Sequence, residues 1–495
     1  MKKSLFRLFF RLVIVATCAL IAGWPLFWVI ETAIVSPSKG QELVSRSLGI
    51  SLAEAGMGAL IATIWGTYAA LGARFLSTKV RTWLEVLCLA PVAIPPFVVA
   101  GVLRSVLGEY SNYIQGLIPV ILVFGFSLTP LAYFSTRLML QFVQSWQLDQ
   151  ARILGLGRFQ IFRLVFGSPI SSSVPLSLGI TFTLALSDPL VPALLGGKKM
   201  NLAHALWLRS IGSFDLAFLG WGSLVLTGLS LCVSVLVGLG YTLGTYSDLG
   251  GEERSPQTFR FGFITGWRVF GIFSYAVVTL FLVTYILFKA TFPWGRGEAI
   301  INTLFLALIV ALICLLVLGA TEATRIKAHH FGADLLFFFL LFLPGSAIGA
   351  GWILAKRSSG TQIGFLFDGN FLIICSFLLV ALPVTHFLAE PLRGIVSVGR
   401  ESAEVLGIQF SQLVWRVYFP AVWRYFSLIL AVVVSISSTL SAPIIWVASS
   451  DKQVAVPQIF QLLDQANYSE AFGLSSVVFL ASIITFVLLP KDVNK

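Results

Sequence analysis

Charge is scarce in this chain. Only 11% of its 495 residues are Asp, Glu, Lys or Arg, against 57% hydrophobic residues, and the mean hydropathy is +0.91. That apolar excess is more than a soluble globule of this length can bury, so a bilayer is the solvent that suits it. The 33 Lys and Arg exceed the 22 Asp and Glu by 11. They are spread thinly through short loops and build no basic face interleaved with aromatics, which excludes a nucleic-acid surface. Cysteine is sparse too. Cys18, Cys88, Cys232, Cys314 and Cys375 all fall in apolar runs, with no CxxC and no zinc spacing, and read as small buried hydrophobes.

Other chemistries are missing in the same way. The four histidines, His204, His329, His330 and His386, show no ligand spacing with an acid, although His386 and Glu390 stand four apart on one helical face. No phosphate loop of the form G-x-x-x-x-G-K-[ST] occurs, since "LLGGKKMN" lacks both its spacing and its hydroxyl residue. No nucleophile, acid and base group together, which argues against a membrane enzyme. The chain is expected to bind no cofactor or metal and to hydrolyse no ATP itself.

What is present is oil in lengths suited to a membrane. At roughly 20 apolar residues per crossing, about twelve spans can be drawn. They run near 12–34, 49–73, 83–107, 116–138, 171–195, 214–245, 268–290, 299–322, 333–355, 369–390, 423–447 and 467–489. The opening "MKKSLFRLFFRLVIVATCALIAGWPLFWVIETAI" is too long for a signal peptide and has no convincing cleavage site, so it reads as a retained span. Cytoplasmic termini place most of the basic residues on the cytoplasmic side.

The wettest connection, Ser247 to Arg268, divides the chain near its middle and resembles a fusion joint. It separates a first half, 1–246, and a linker, 247–267, from a second half, 268–495. "ALIAT" at Ala59 matches "ALIVA" at Ala307, and Pro96 matches Pro344, both 248 residues apart. "FDLAFLGWGSL" from Phe214 resembles "YSEAFGLSSVV" from Tyr468. The expected fold is therefore all-α and integral to the membrane, two parallel six-helix repeats with a pathway between them.

One polar pattern also occurs twice. "DQARILGLGRFQIFRLVFGSP", Asp149 to Pro169, and "ESAEVLGIQFSQLVWRVYFP", Glu401 to Pro420, follow the fourth and tenth spans 252 residues apart. Asp149 pairs with Glu401, Ala151 with Ala403, Gly155 with Gly407 and Gln160 with Gln412. An acid favours a helix start and glycine a break, which predicts helix, turn, helix. In the second copy Ala403, Leu406, Phe410, Leu413, Val414 and Val417 give an apolar stripe. A single copy could rest on lipid headgroups; two in register favour docking to a partner.

Glu401, Ala403, Gly407 and Pro420 fit the EAA loop of binding-protein-dependent ABC importer permeases, and the chain resembles that family, type I importers with fused halves. The first copy departs at Asp149, Gln150 and Pro169, and the second at Ser402. The resemblance implies that both loops couple to two copies of a cytoplasmic ATPase, which holds ATP and magnesium. It also implies a periplasmic or lipid-anchored solute-binding protein, lipid around the spans and a bacterial inner membrane. "SDPLVPALLGG", Ser187 to Gly197, is similar to the iron-type segment through Asp188 and Pro192, with Thr439 standing where the second half would carry an acid. Ferric iron is the first expectation, with thiamine, phosphonate or polyamine as alternatives and an ion-driven secondary transporter as the rival class.

Two further readings stay open. Asp188 serves either a substrate pathway or the cap of a helix, where Lys198 and Lys199 are candidate partners. Pro95, Pro96 and Pro344 predict kinks in the third and ninth spans, which either line the pathway or simply pack.

Overall fold

The computed structural model describes residues 12–35, 41–108, 110, 113–140, 143, 145–212, 215–243, 265–291, 294–324, 331–358, 369–388, 429–437, 439–448 and 454–487. Every regular element among them is helical. α1 is Leu12–Val35, interrupted by a π turn at Ala19–Gly23, and α2 is Gln41–Ala73. Thr78–Leu89 (α3), Pro96–Leu107 (α4), Leu117–Ser127 (α5) and Thr129–Leu140 (α6) follow. Ser145–Ile153 (α7) and Arg158–Ile161 (α8) lead through a π turn, Phe162–Phe166, into Gly167–Ser187 (α9). Leu190–Leu195 (α10), Leu202–Ile211 (α11) and Leu216–Leu243 (α12) complete the first repeat. The second comprises Thr265–Lys289 (α13), Gly297–Thr324 (α14), Phe331–Leu341 (α15), Gly345–Ser358 (α16), Gly369–Leu388 (α17), Ile444–Val447 (α18), Ala455–Asp464 (α19) and Tyr468–Val487 (α20).

Nine helices among the described residues are long and apolar enough to cross a membrane. Large apolar side chains such as Ile64, Leu122, Val277 and Leu316 stand exposed along them, the surface a bilayer covers. Two more of the expected spans are bent pairs rather than rods. Lys79–Ala93 meets Pro96–Leu107 at 93°, and Asp334–Leu341 meets Gly345–Arg357 at 91°. Proline explains both: Pro96, after Pro95, opens one new helix, and Pro344 stands just before the other, where a missing N–H and fixed φ do not suit the interior of an old helix. Of the remaining expected span, 423–447, residues 429–437 are helical and 439–447 are also described, while 423–428 and most of the linker lie outside the described residues.

The fifth span ends earlier than its apolar run suggests. α9 stops at Ser187, since Asp188 is extended and Pro189 offers no N–H to continue the ladder. A separate short helix, α10, takes up the rest.

The helices cluster into two compact units, Met1–Val44 with Leu206–Val225 and Ala290–Lys495, and Ser45–Ala205 with Leu226–Lys289. This grouping cuts across the sequence repeat. In the former, α1 packs on α16 where Gly351 brings the helix against Pro25, so close that a Cβ there would meet the Pro25 carbonyl oxygen at 2.5 Å. In the latter, α13 docks on α2. The Trp65 indole N–H donates to the Gly271 carbonyl at 3.2 Å, Gly271 seats the Tyr68 ring, and the Tyr275 hydroxyl donates to the Phe126 carbonyl at 3.1 Å.

Candidate functional site: the turn at Gly155 and its foundations

The patterned segment folds as helix, turn, helix. α7 ends in a Schellman motif: the Leu156 N–H donates to the Ala151 carbonyl at 3.2 Å and the Gly155 N–H to the Arg152 carbonyl at 2.9 Å. Gly155 has φ +67°, a conformation that costs residues with a Cβ. The alanine and the glycine of the pattern are thus the two anchor points of one helix stop. Ala151 is buried beside Leu148, which turns that face of α7 inward. The pattern's glutamine has a role as well. Gln160 Oε1 accepts the Gly157 N–H at 2.9 Å, half of a capping box at the start of α8.

Asp149 departs from the sequence expectation. It is not the opening residue of its helix, which begins at Ser145; its exposed carboxylate meets Arg152 at 3.4 Å. At the stop and beyond it, apolar side chains face outward. Ile153 is 84% exposed, Leu154 73% and Phe159 78%, and Leu164 is exposed too. The exposed apolar side chains are interleaved with Arg152, Gly155 and Gln160.

Arg74, just past the end of α2, holds this segment's root. Its guanidinium donates to the Leu140 carbonyl at 2.5 Å and the Val143 carbonyl at 3.3 Å, closing the carbonyl end of α6 before α7 begins. Burial, with Arg81 nearby, lowers its pKa to about 10, which leaves it charged at neutral pH. Glu401, Ala403 and Gly407 lie outside the described residues.

Asp188 is buried, and its Oδ1 accepts the Leu190 N–H at 2.8 Å, capping α10, on which Pro192 is buried. Lys198 and Lys199 are exposed. Asn201 ties the turn together, donating to the Asp188 carbonyl at 3.4 Å and accepting the His204 N–H at 2.8 Å. Burial lowers the His204 pKa to about 4, so its ring is neutral. The second-half counterpart of Asp188 is Ala442 rather than Thr439, because Pro189 and Pro443 occupy the same position before α10 and α18. Thr439 instead bonds the Ser435 carbonyl of its own helix.

Pro344 likewise corresponds to Pro95, not Pro96. The Pro95 carbonyl accepts from Val98 and Val99, and the Pro344 carbonyl from Ala347 and Ile348. His386 pairs with Asp334 at 2.8 Å, while Glu390 lies outside the described residues. Sequence reading missed Glu54, which is 1% exposed in the middle of α2 and faces the Asn201 amide. Its signal was a lone acid in "SLAEAGMG", inside an otherwise apolar run.

Residues 62–243, which include the Gly155 turn, match the family described as the binding-protein-dependent transport system inner membrane component. The chain is also 22% identical, over 502 aligned residues, to the ferric transport system permease protein FbpB of Actinobacillus pleuropneumoniae, across 92% of this chain and 72% of that one. With the spans, the bent pairs and the repeated segments, the chain is thus similar to permeases of the binding-protein-dependent ABC importers, over residues 62–243 to the family and over most of its length to the ferric permease.

Proposed function

We propose that the chain imports ferric iron, with a separate ATPase seated on the Gly155 turn and a second copy on the matching segment around Gly407. The observation that carries the coupling role is the rigid stop at Ala151–Gly155 presenting Ile153, Leu154 and Phe159 to solvent. An exposed apolar tip on a fixed helix end suits insertion into a cleft. The pattern at Ala403 and Gly407 would build the same stop, which gives one chain two seats for two ATPase copies. Both seats and both termini then face the cytoplasm, and a solute-binding protein delivers cargo from the other side. ATP and magnesium are held by the ATPase, and this chain supplies the pathway.

Iron rests on the similarity to the ferric permease and on the segment from Ser187 to Gly197. Reconstituted with its ATPase and binding protein, the chain is expected to accumulate labelled ferric iron in an ATP-dependent manner and not to accumulate labelled thiamine. Thiamine uptake without iron uptake overturns the substrate, and uptake that persists without any ATPase overturns the coupling.

A further inference from the structure

The two bent helices carry the same bond in different chemistry. Glu85 stands ten residues before Pro95, and Asp334 ten before Pro344, so both acids sit on the leg that precedes the bend. Each acid meets a ring on the next long helix. The Tyr133 hydroxyl donates to Glu85 Oε1 at 3.1 Å, and His386 Nε2 lies 2.8 Å from Asp334 Oδ1. Tyr133 follows Pro130 by three residues in "PLAYF", and His386 follows Pro383 by three in "PVTHF", so the rings are equivalent too. In the first repeat Arg137 also pairs with Glu85, and Arg81 lies 3.7 Å away.

Duplication alone would have left the residues as they were. Here Glu has become Asp, or the reverse, and Tyr exchanges with His, yet the bond persists in both copies. A carboxylate in this part of a membrane protein needs a partner, but any partner would satisfy that need. What both copies retain is a tie between two particular elements. One is the leg before the bend; the other is the helix that runs, through Arg74 and Val143 in the first repeat, into the Gly155 turn.

We infer that Glu85–Tyr133 and Asp334–His386 are equivalent latches, positioning residues that fasten each bent helix to the helix feeding its coupling segment. Movement of that segment then reaches the bend through the acid–ring bond. The coupling part rests on the function proposed above; the latch itself does not. Arg137 still holds Glu85 when the Tyr133 hydroxyl is removed, so that change releases the first latch only in part.

The test replaces each ring by its counterpart from the other repeat and by phenylalanine. Full-length chain is assembled with its ATPase in nanodiscs for amide exchange and in proteoliposomes for ATP hydrolysis and uptake of labelled ferric iron. His386→Phe is expected to speed exchange across 331–341 by about tenfold, and His386→Tyr to stay within about twofold of wild type. ATP hydrolysed per iron imported should rise about fivefold or more in His386→Phe and not in His386→Tyr. Tyr133→Phe should shift both readouts less, and Tyr133→His should restore them.

Wild-type behaviour of His386→Phe, or a His386→Tyr as impaired as His386→Phe, overturns the latch. Faster exchange with an unchanged ATP-to-iron ratio overturns its positioning role. A wild-type complex that imports no ferric iron refutes the proposed substrate instead; the latch is then decided by amide exchange and by ATP hydrolysis in the assembled complex, neither of which needs cargo.

Discussion

Ser51 accepts the backbone N–H of Leu202 at 2.6 Å, and 252 residues further on Thr303 accepts that of Ala455 at 2.9 Å. In each repeat a hydroxyl on a long helix caps the short helix that precedes the last span. Ser51→Ala should leave a buried amide unsatisfied and lower stability by about 1–3 kcal/mol, while Ser51→Thr, the second repeat's own choice, should be tolerated. Thermal unfolding of the detergent-solubilised chain checks this, and equal midpoints for Ala and Thr would contradict it.

Gly155 holds the Schellman stop in a left-handed conformation. Gly155→Val should cost about 1–2 kcal/mol of local stability, and Gly155→Asn considerably less. Amide exchange over 145–161 is the appropriate measurement, with faster exchange expected for Val than for Asn. No Cβ clash contributes, since nothing lies within 4 Å of that position, so the difference isolates the backbone term.

His204 makes a pH prediction. Its pKa is lowered from 6.5 to about 4, so the unfolded chain binds more protons than the folded one between those values. The stability contribution is present above pH 6.5 and is lost as pH falls toward 4, by on the order of 3 kcal/mol. His204→Gln should flatten that part of the stability profile. A profile unchanged by the substitution would show that other groups dominate the acid limb.

Gly351 lets α1 approach α16. With a Cβ only 2.5 Å from the Pro25 carbonyl oxygen, Gly351→Ala must push the two helices apart, at a cost of about 1–3 kcal/mol. Gly295→Ala, with open space around it, serves as the control. Comparable melting points for the two variants would argue against the close packing.

Much of this architecture was legible in sequence because it rests on strong signals. Apolar runs of membrane length marked most spans, proline marked both bends, and glycine marked the Gly155 stop. Register was harder. An apolar helix looks much the same after a slip of one turn, so Ala59 appeared to match Ala307 at a separation of 248, whereas the capping bonds pair Ser51 with Thr303 at 252. Adjacent prolines hid the same ambiguity, and the bend that starts after Pro95 resolves it in favour of Pro95 over Pro96.

Partners across helices were legible least. His386 and Glu390 suit each other by spacing along one helix, yet the ring turns to Asp334, 52 residues away. Glu54 passed unnoticed because a hydropathy window averages one acid into its neighbours. The placement of α1 with α16, and of α13 with α2, depends on side-chain fit that no linear pattern records.

The central claim is that the Gly155 turn docks a soluble ATPase. Its most direct measurement is co-purification of the ATPase with the full-length chain carrying Leu154→Asp and Phe159→Asp. These substitutions change exposed side chains and should leave the stability of the solubilised chain within about 1 kcal/mol of wild type. At least a tenfold loss of bound ATPase is expected, from the charge that each would bring into an apolar cleft. Undiminished ATPase binding by a folded double variant would contradict the account.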